Sequence, residues 1–350
     1  MLSTRTALAH WFTLSLGALL ALTSAAGAAA PKLQVLQRWK IGGAGGWDYL
    51  TIDSAKQRLF ISRATRVDVI DLKTGNVVGS IADTLGVHGV ALAASLNRGF
   101  TSNGRANSVT AFDLDSLKSI QEIKVPGRNP DAILFEPAAK HVFTFNGGSH
   151  DATVLDASSL AVTATIPLPD KPEFAAADGR GTVFVNIESD PGQLVAIDGR
   201  TLAVKSTWPL PGCNSPTGLA LDSVRRRLFS VCDGKVMAVT DADNGRQVAL
   251  VPIGEHPDAA EYDSKHAIVY SSNGEGSLSV VHQESANRYS VVDTVATQPG
   301  ARTMALDEAT GKIYLVTADF GPAPPATAEQ PHPRPAPIAD SFVVLVVGAP

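Results

Sequence analysis

Apolar and polar positions alternate in short runs along almost the whole chain. The stretch Arg66 to Ile81, RVDVIDLKTGNVVGSI, is typical: an alternating run ends in Asp71, passes a Lys-Thr-Gly-Asn turn and resumes as a second run. Period-two alternation between polar turns predicts half-buried β-strands joined as a hairpin. Similar stretches end their first run at Asp113, Asp156, Asp198, Asp241 and His282, each 41 to 43 residues after the one before. A second hairpin precedes each of them, from DYLTIDSAKQRLFIS to RTMALDEATGKIYLV, which makes seven copies. Four short strands per unit of about 40 to 45 residues is the signature of a propeller blade.

The expected fold is therefore all-β: a seven-bladed β-propeller with four antiparallel strands, A to D, in each blade. The blades start near residues 42, 84, 126, 169, 211, 254 and 298. The seventh copy lacks a fourth strand. After GKIYLV comes a Pro-rich loop over 319–340, then the single run SFVVLVVG. The segment Leu33 to Ile41 matches the missing strand in pattern, so the N-terminal strand is expected to complete blade 7, close the ring and remove a free sheet edge.

The first residues fall outside this pattern. Arg5 precedes a long apolar stretch, and the small residues Ala26 to Ala28 form an A-x-A site, which reads as a signal peptide over 1–28 ahead of one propeller domain over 29–350. No later segment is apolar enough to span a membrane. The expected location is periplasmic or secreted, and the expected state a monomer. The formal net charge of −5 argues against nucleic-acid binding, which needs a concentrated basic surface. Cys213 and Cys232 sit at equivalent heights on neighbouring strands of blade 5, where an oxidising compartment favours a disulfide.

The blade pattern, with its D/N-G turns, V-x-V-I-D and T-G-x-V, resembles the YVTN-repeat propellers, the YncE-like family of exported bacterial proteins. The group is similar to lactonase-like propellers, in which a carboxylate and asparagines at the channel mouth hold a metal. That resemblance implies the fold and leaves the activity to the site.

Strand A lines the channel. The residues that open it are Asp48, His88, Asp131, Glu173, Thr217, Asp258 and Arg302, at spacings that make them equivalent. They are expected to ring the mouth of the channel on the face that carries the D-to-A and B-to-C connections, the top. Converging carboxylates raise one another's pKa or recruit a cation. Asp48, Asp131, Glu173 and Asp258 are candidate ligands for a divalent metal, calcium-like or a harder transition ion, and His88 is the candidate general base. Arg302, Trp47 in the glycine-rich GGAGGWDYL, and Asn103, Asn146 and Asn273 at the ends of strands B complete the candidate ligand-binding set, although turn asparagines commonly serve the local backbone. The opposite face carries a basic residue in every A-to-B turn, such as Arg58, Arg98 and Arg227, which suggests a molecule polarised along its axis.

No catalytic or nucleotide-binding signature is present, so the favoured reading is an exported binding or scaffold protein that takes a small ligand, a metal ion or a protein at the top face. A metal-dependent lactonase-like hydrolase using the acidic ring is the first alternative. An adaptor that docks proteins through the Pro-rich loop, where His332 and Arg334 could reach the rim, is the second.

Overall fold

A computed structural model describes residues 32–327, 333 and 335–350. The expected signal peptide, His332 and Arg334 lie outside the described residues. Among those described, the strands form seven four-stranded antiparallel sheets, six of them in simple chain order. The seventh joins Met304–Asp307, Lys312–Thr317 and Val343–Gly348 to Gln34–Lys40 at its outer edge. Gln34 pairs with Gly348 and Lys40 with Val343, so the first strand closes the ring. Among the described residues the only other regular elements are two one-turn 3-10 segments in blade 2.

Burial follows the radius of the molecule. Strands B and C, such as His141–Asn146 and Asp151–Asp156, are buried along nearly their whole length because each is covered by a blade on both sides. Outer strands such as Ser119–Lys124 are largely exposed. The D strands mix polar and apolar residues, and most of the exposed large apolar side chains, such as Val77, Val78, Ile120 and Leu250, stand on them.

The Asp that closes each C strand serves the turn. Asp71 Oδ1 accepts the backbone N–H of Lys73 and of Thr74 and the Thr74 hydroxyl, which holds its carboxyl below the usual range. Asp113, Asp156 and Asp198 repeat the arrangement. Gly75 then turns with φ of 71°, and a Cβ there would stand 2.6 Å from the Trp39 indole of the closing strand. The Thr-Gly turn of blade 1 is thus shaped to receive blade 7.

The basic residues of the lower face act as staples between blades. Arg58 donates to the Leu114 carbonyl of blade 2, Arg98 to the Ala157 carbonyl of blade 3, and Arg227 to the Ala286 carbonyl of blade 6. Arg227 also pairs with Asp241, and Arg226 with Asp178 and Asp243. Several cations of the expected basic face are therefore bonded to neighbouring blades, and turn carboxylates such as Asp71, Asp113, Asp156 and Asp198 stand among them on the same face.

Cys213 and Cys232 are joined, with 5.4 Å between their Cα atoms. The bond closes a loop across 19 residues, for which the loop-entropy argument gives about 3 kcal/mol. The Cys213→Ala/Cys232→Ala protein should lose about that much in urea unfolding; an unchanged midpoint would refute this. Deletion of Leu33 to Ile41 should remove the cooperative thermal transition of the whole domain, because it exposes the Val343–Gly348 edge and uncovers Tyr314, whose ring lies 5.6 Å from Trp39. A melting curve like that of the intact chain would contradict it.

Candidate functional site

The strand A openings of blades 1, 2 and 3 bring Asp48, His88 and Asp131 together. His88 Nδ1 lies 2.6 Å from Asp48 Oδ2 and 3.6 Å from Asp131 Oδ1. One ligand-type atom from each of the three lies within 4.8 Å of the others. Asp48 and Arg302 stand just ahead of their strands, which begin at Leu50 and Met304, two residues later than the repeat suggests.

The imidazole is engaged on its other side by the Asn129 side chain. The two meet over Gly104, where a Cβ would stand 2.5 Å from Asn129 Oδ1 and 2.6 Å from His88 Nε2. Glycine is what lets them approach. Burial disfavours a charged imidazole, but the hydrogen bond to Asp48, the charges of Asp131 and Asp48, and Asn129 outweigh it and push His88 up to about 9. Burial raises Asp131, His88 opposes that rise, and Asp48 adds to it. An imidazole already protonated at neutral pH does not accept a proton, so the general-base role expected of His88 has no support in this geometry.

Glu173 belongs to a second cluster. Its Oε1 is 2.5 Å from Lys171 Nζ, and Lys171 also pairs with Glu188. Burial, then the charge of Asp131 and the hydrogen bond with Glu188, push Glu173 up to about 8. Burial would raise Glu188 as well, but the Glu173 hydrogen bond and the Lys171 ammonium hold it below the usual range. Tyr49 links the two clusters. It follows Asp48 in blade 1, crosses to blade 4, donates to Glu173 Oε2 at 3.4 Å and meets the Phe174 ring edge-on at 5.2 Å. Burial and then the charges of Asp131, Glu173, Asp48 and Asp258 raise its pKa well above the ordinary phenol.

The remaining ring positions do not join the triad. Asp258 Oδ2 lies 3.4 Å from Arg302 Nε. Thr217 donates to the Pro257 carbonyl at 3.0 Å. Asn103, Asn146 and Asn273 are fully buried behind the rim: each amide donates to strand C side chains, two hydroxyls for Asn103 and Asn273 and the Thr153 hydroxyl and Asp151 carboxylate for Asn146, and each carbonyl accepts from a hydroxyl two residues earlier. They tie strand B to strand C and offer nothing to the channel. Trp47 packs at the seam of blades 7 and 1, 5.1 Å from Phe342 and 6.2 Å from Phe320.

The ring spacing pointed to Asp48, His88 and Asp131. It did not reveal Tyr49, Asn129, Lys171 or Glu188. The signal for Tyr49 was available: its equivalents in the other blades are Gly89, Ala132, Phe174, Gly218, Ala259 and Thr303, so two bulky aromatics stand out among mostly small residues.

No family model and no curated protein matches this chain. Solved structures do. The Kuenenia stuttgartiensis hydrazine synthase matches 77% of this chain and 92% of its own at 18% identity, with a TM-score of 0.69. A structure of U3-55K matches 90% and 99% at 10% identity, with a TM-score of 0.72. The WD40 repeats of RRP9 match 91% and 99% at 11%, also with a TM-score of 0.72. At these identities the likeness is one of fold, and it agrees with the seven-bladed propeller.

The protonation pattern has a measurable consequence. His88 rises from an ordinary 6.5 to about 9, so its contribution to stability is complete below pH 6.5 and is lost as pH climbs through 9. Glu173, raised from 4.5 to about 8, acts in the same direction between those values. Unfolding free energy should therefore fall from pH 6.5 to 9, and His88→Gln should flatten the upper part of that fall. The His88 ring resonances should titrate near 9, and nearer 6.5 in Asp48→Asn. A His88 midpoint of 6.5 in the unaltered protein would contradict the assignment.

Proposed function

We propose that this protein is an exported binding propeller that takes a divalent transition-metal ion at the mouth of its channel through Asp48, His88 and Asp131. The observation that carries this reading is the convergence of two carboxylates and one imidazole nitrogen within 4.8 Å, from three successive blades. The mixed donor set suits zinc or manganese better than calcium, which prefers a cage of six to eight oxygens. Asn129 supports it too. With Nε2–H held by the Asn129 carbonyl oxygen, it is the Nδ1 proton, now shared with Asp48, that a metal ion would displace to coordinate between the carboxylates, the outer-shell arrangement common around metal-bound histidine. Export rests on the apolar N-terminal segment and on the joined cysteines. Kinship with the YVTN-repeat, YncE-like propellers rests on the repeat motifs.

Hydrolysis of a lactone or ester at the same mouth is a second reading, favoured by the placement of Glu173 on the rim between Lys171 and Tyr49, where burial and the charge of Asp131 push it up to about 8 and let it exchange a proton near neutral pH. Chelator-sensitive turnover lost in Glu173→Gln would distinguish it from binding alone.

Calorimetric titration of chelator-treated mature protein with zinc, manganese and calcium tests the first reading. One equivalent of zinc or manganese should bind, with calcium weaker. Binding should be lost in Asp48→Asn and in His88→Gln, and weakened about 10- to 100-fold in Asn129→Ala. Absence of saturable heat, or binding indifferent to these substitutions, would overturn the proposal. Circular dichroism melts of the variants serve as the folding control.

A further inference from the structure

A cavity of about 520 Å3 lies between the glycine-rich loop that leads into blade 1 and the base of the Pro-rich loop of blade 7. Its apolar wall is made by Trp47, Phe342, Pro337 and Ile338. Its volume is that of an ordinary small-ligand pocket.

The opposite wall is unusual in what its backbone does. Arg63, the last residue of strand B in blade 1, is fully buried and lies 3.8 Å over the Phe342 ring. Burial lowers its pKa to about 10, so it stays charged at neutral pH. Its guanidinium donates to the carbonyls of Gly42, Gly43 and Ala44 at 3.2 to 3.4 Å. These peptides are trans, so each carbonyl and the next residue's N–H point in opposite directions. With three carbonyls turned in to Arg63, the N–H groups of Gly43, Ala44 and Gly45 turn out. Asp340, which lines the cavity, accepts the first of them at 3.0 Å. The N–H groups of Ala44 and Gly45 have no acceptor among the described residues. Two adjacent donors are thus left beside an apolar cavity, with a carboxylate next to them.

We propose that this cavity binds a small neutral apolar molecule carrying a carbonyl-type oxygen. The oxygen accepts from the Ala44 and Gly45 amides, and the apolar body lies between Trp47, Phe342, Pro337 and Ile338. Asp340 offsets the pull of the Arg63 and Arg66 guanidiniums on an anion, because a ligand carboxylate placed on those amides would meet its charge. The site is independent of the metal triad: Trp47 faces the blade 7 seam while the adjacent Asp48 faces the channel.

Three matched probes test this on the mature chain: N-methylbenzamide, benzoate and ethylbenzene. They differ in carrying a neutral acceptor, a charged acceptor and none. The amide should shift the backbone resonances of Ala44 and Gly45 and the fluorine signal of 5-fluoro-Trp47, saturating near about 1 mM. Benzoate should bind at least about five-fold more weakly, and Asp340→Asn, which keeps an acceptor for Gly43, should recover most of that loss. Ile338→Glu should weaken the amide at least about five-fold without lowering the melting temperature, since Ile338 is 52% exposed. The proposal is overturned if none of the probes shifts these signals, if ethylbenzene binds as tightly as the amide, or if Asp340→Asn leaves benzoate unchanged. Metal titration of the Ile338→Glu protein should match the unaltered chain, so failure here leaves the triad reading standing.

Discussion

Seven strands that converge on one axis force the side chains at their openings into a small space. In a strict repeat the same charge would stand there seven times, and like charges so close do not all ionise. This chain resolves the conflict by varying one position. Asp48 and Asp131 flank His88, Glu173 faces Lys171, Asp258 faces Arg302, and Thr217 is neutral and spends its hydroxyl on backbone. Each pairing crosses from one blade to another or joins neighbours in the chain, so the mouth is an electrostatic unit. Its protonation states, with His88 charged and Glu173 raised, follow from that crowding.

The mouth can be held in this geometry because the ring cannot splay. The N-terminal strand seals blade 7, Trp39 rests on the turn of blade 1, and the lower-face arginines bond the next blade's turn carbonyls. None of the triad residues comes from the same blade, so their separations depend on the angle between blades and on every contact that fixes it. Tyr49 adds a tie across the channel, from blade 1 to blade 4.

The repeat, the closing strand and the ring of seven openings were legible because each is a matter of spacing along the chain. Partnership was not, because it depends on how far blades rotate relative to one another. Lys171 and Asn129 lie two residues before a ring position, where sequence alone does not say whether a side chain turns to the mouth or away. Arg63 replaces the asparagine found at the same place in blades 2, 3 and 6, yet nothing in its sequence context announces that it holds three carbonyls of the loop before Trp47. The buried asparagines misled for a physical reason: a blade-end amide can serve a strand or a ligand, and here side chains within the blade, mostly hydroxyls, use it up. The basic lower face was legible as a composition but not as a set of staples, since turn carboxylates and carbonyls acting on it are spread over neighbouring repeats.

The central claim is that Asp48, His88 and Asp131 form one metal centre. Anomalous diffraction from crystals of the propeller grown with manganese tests it most directly. The account predicts a single strong peak within coordination distance of His88 Nδ1 and of one oxygen each from Asp48 and Asp131. A channel mouth without an anomalous peak, with His88 Nδ1 still on Asp48, would contradict it and leave the triad as an ion pair that only neutralises the crowded axis.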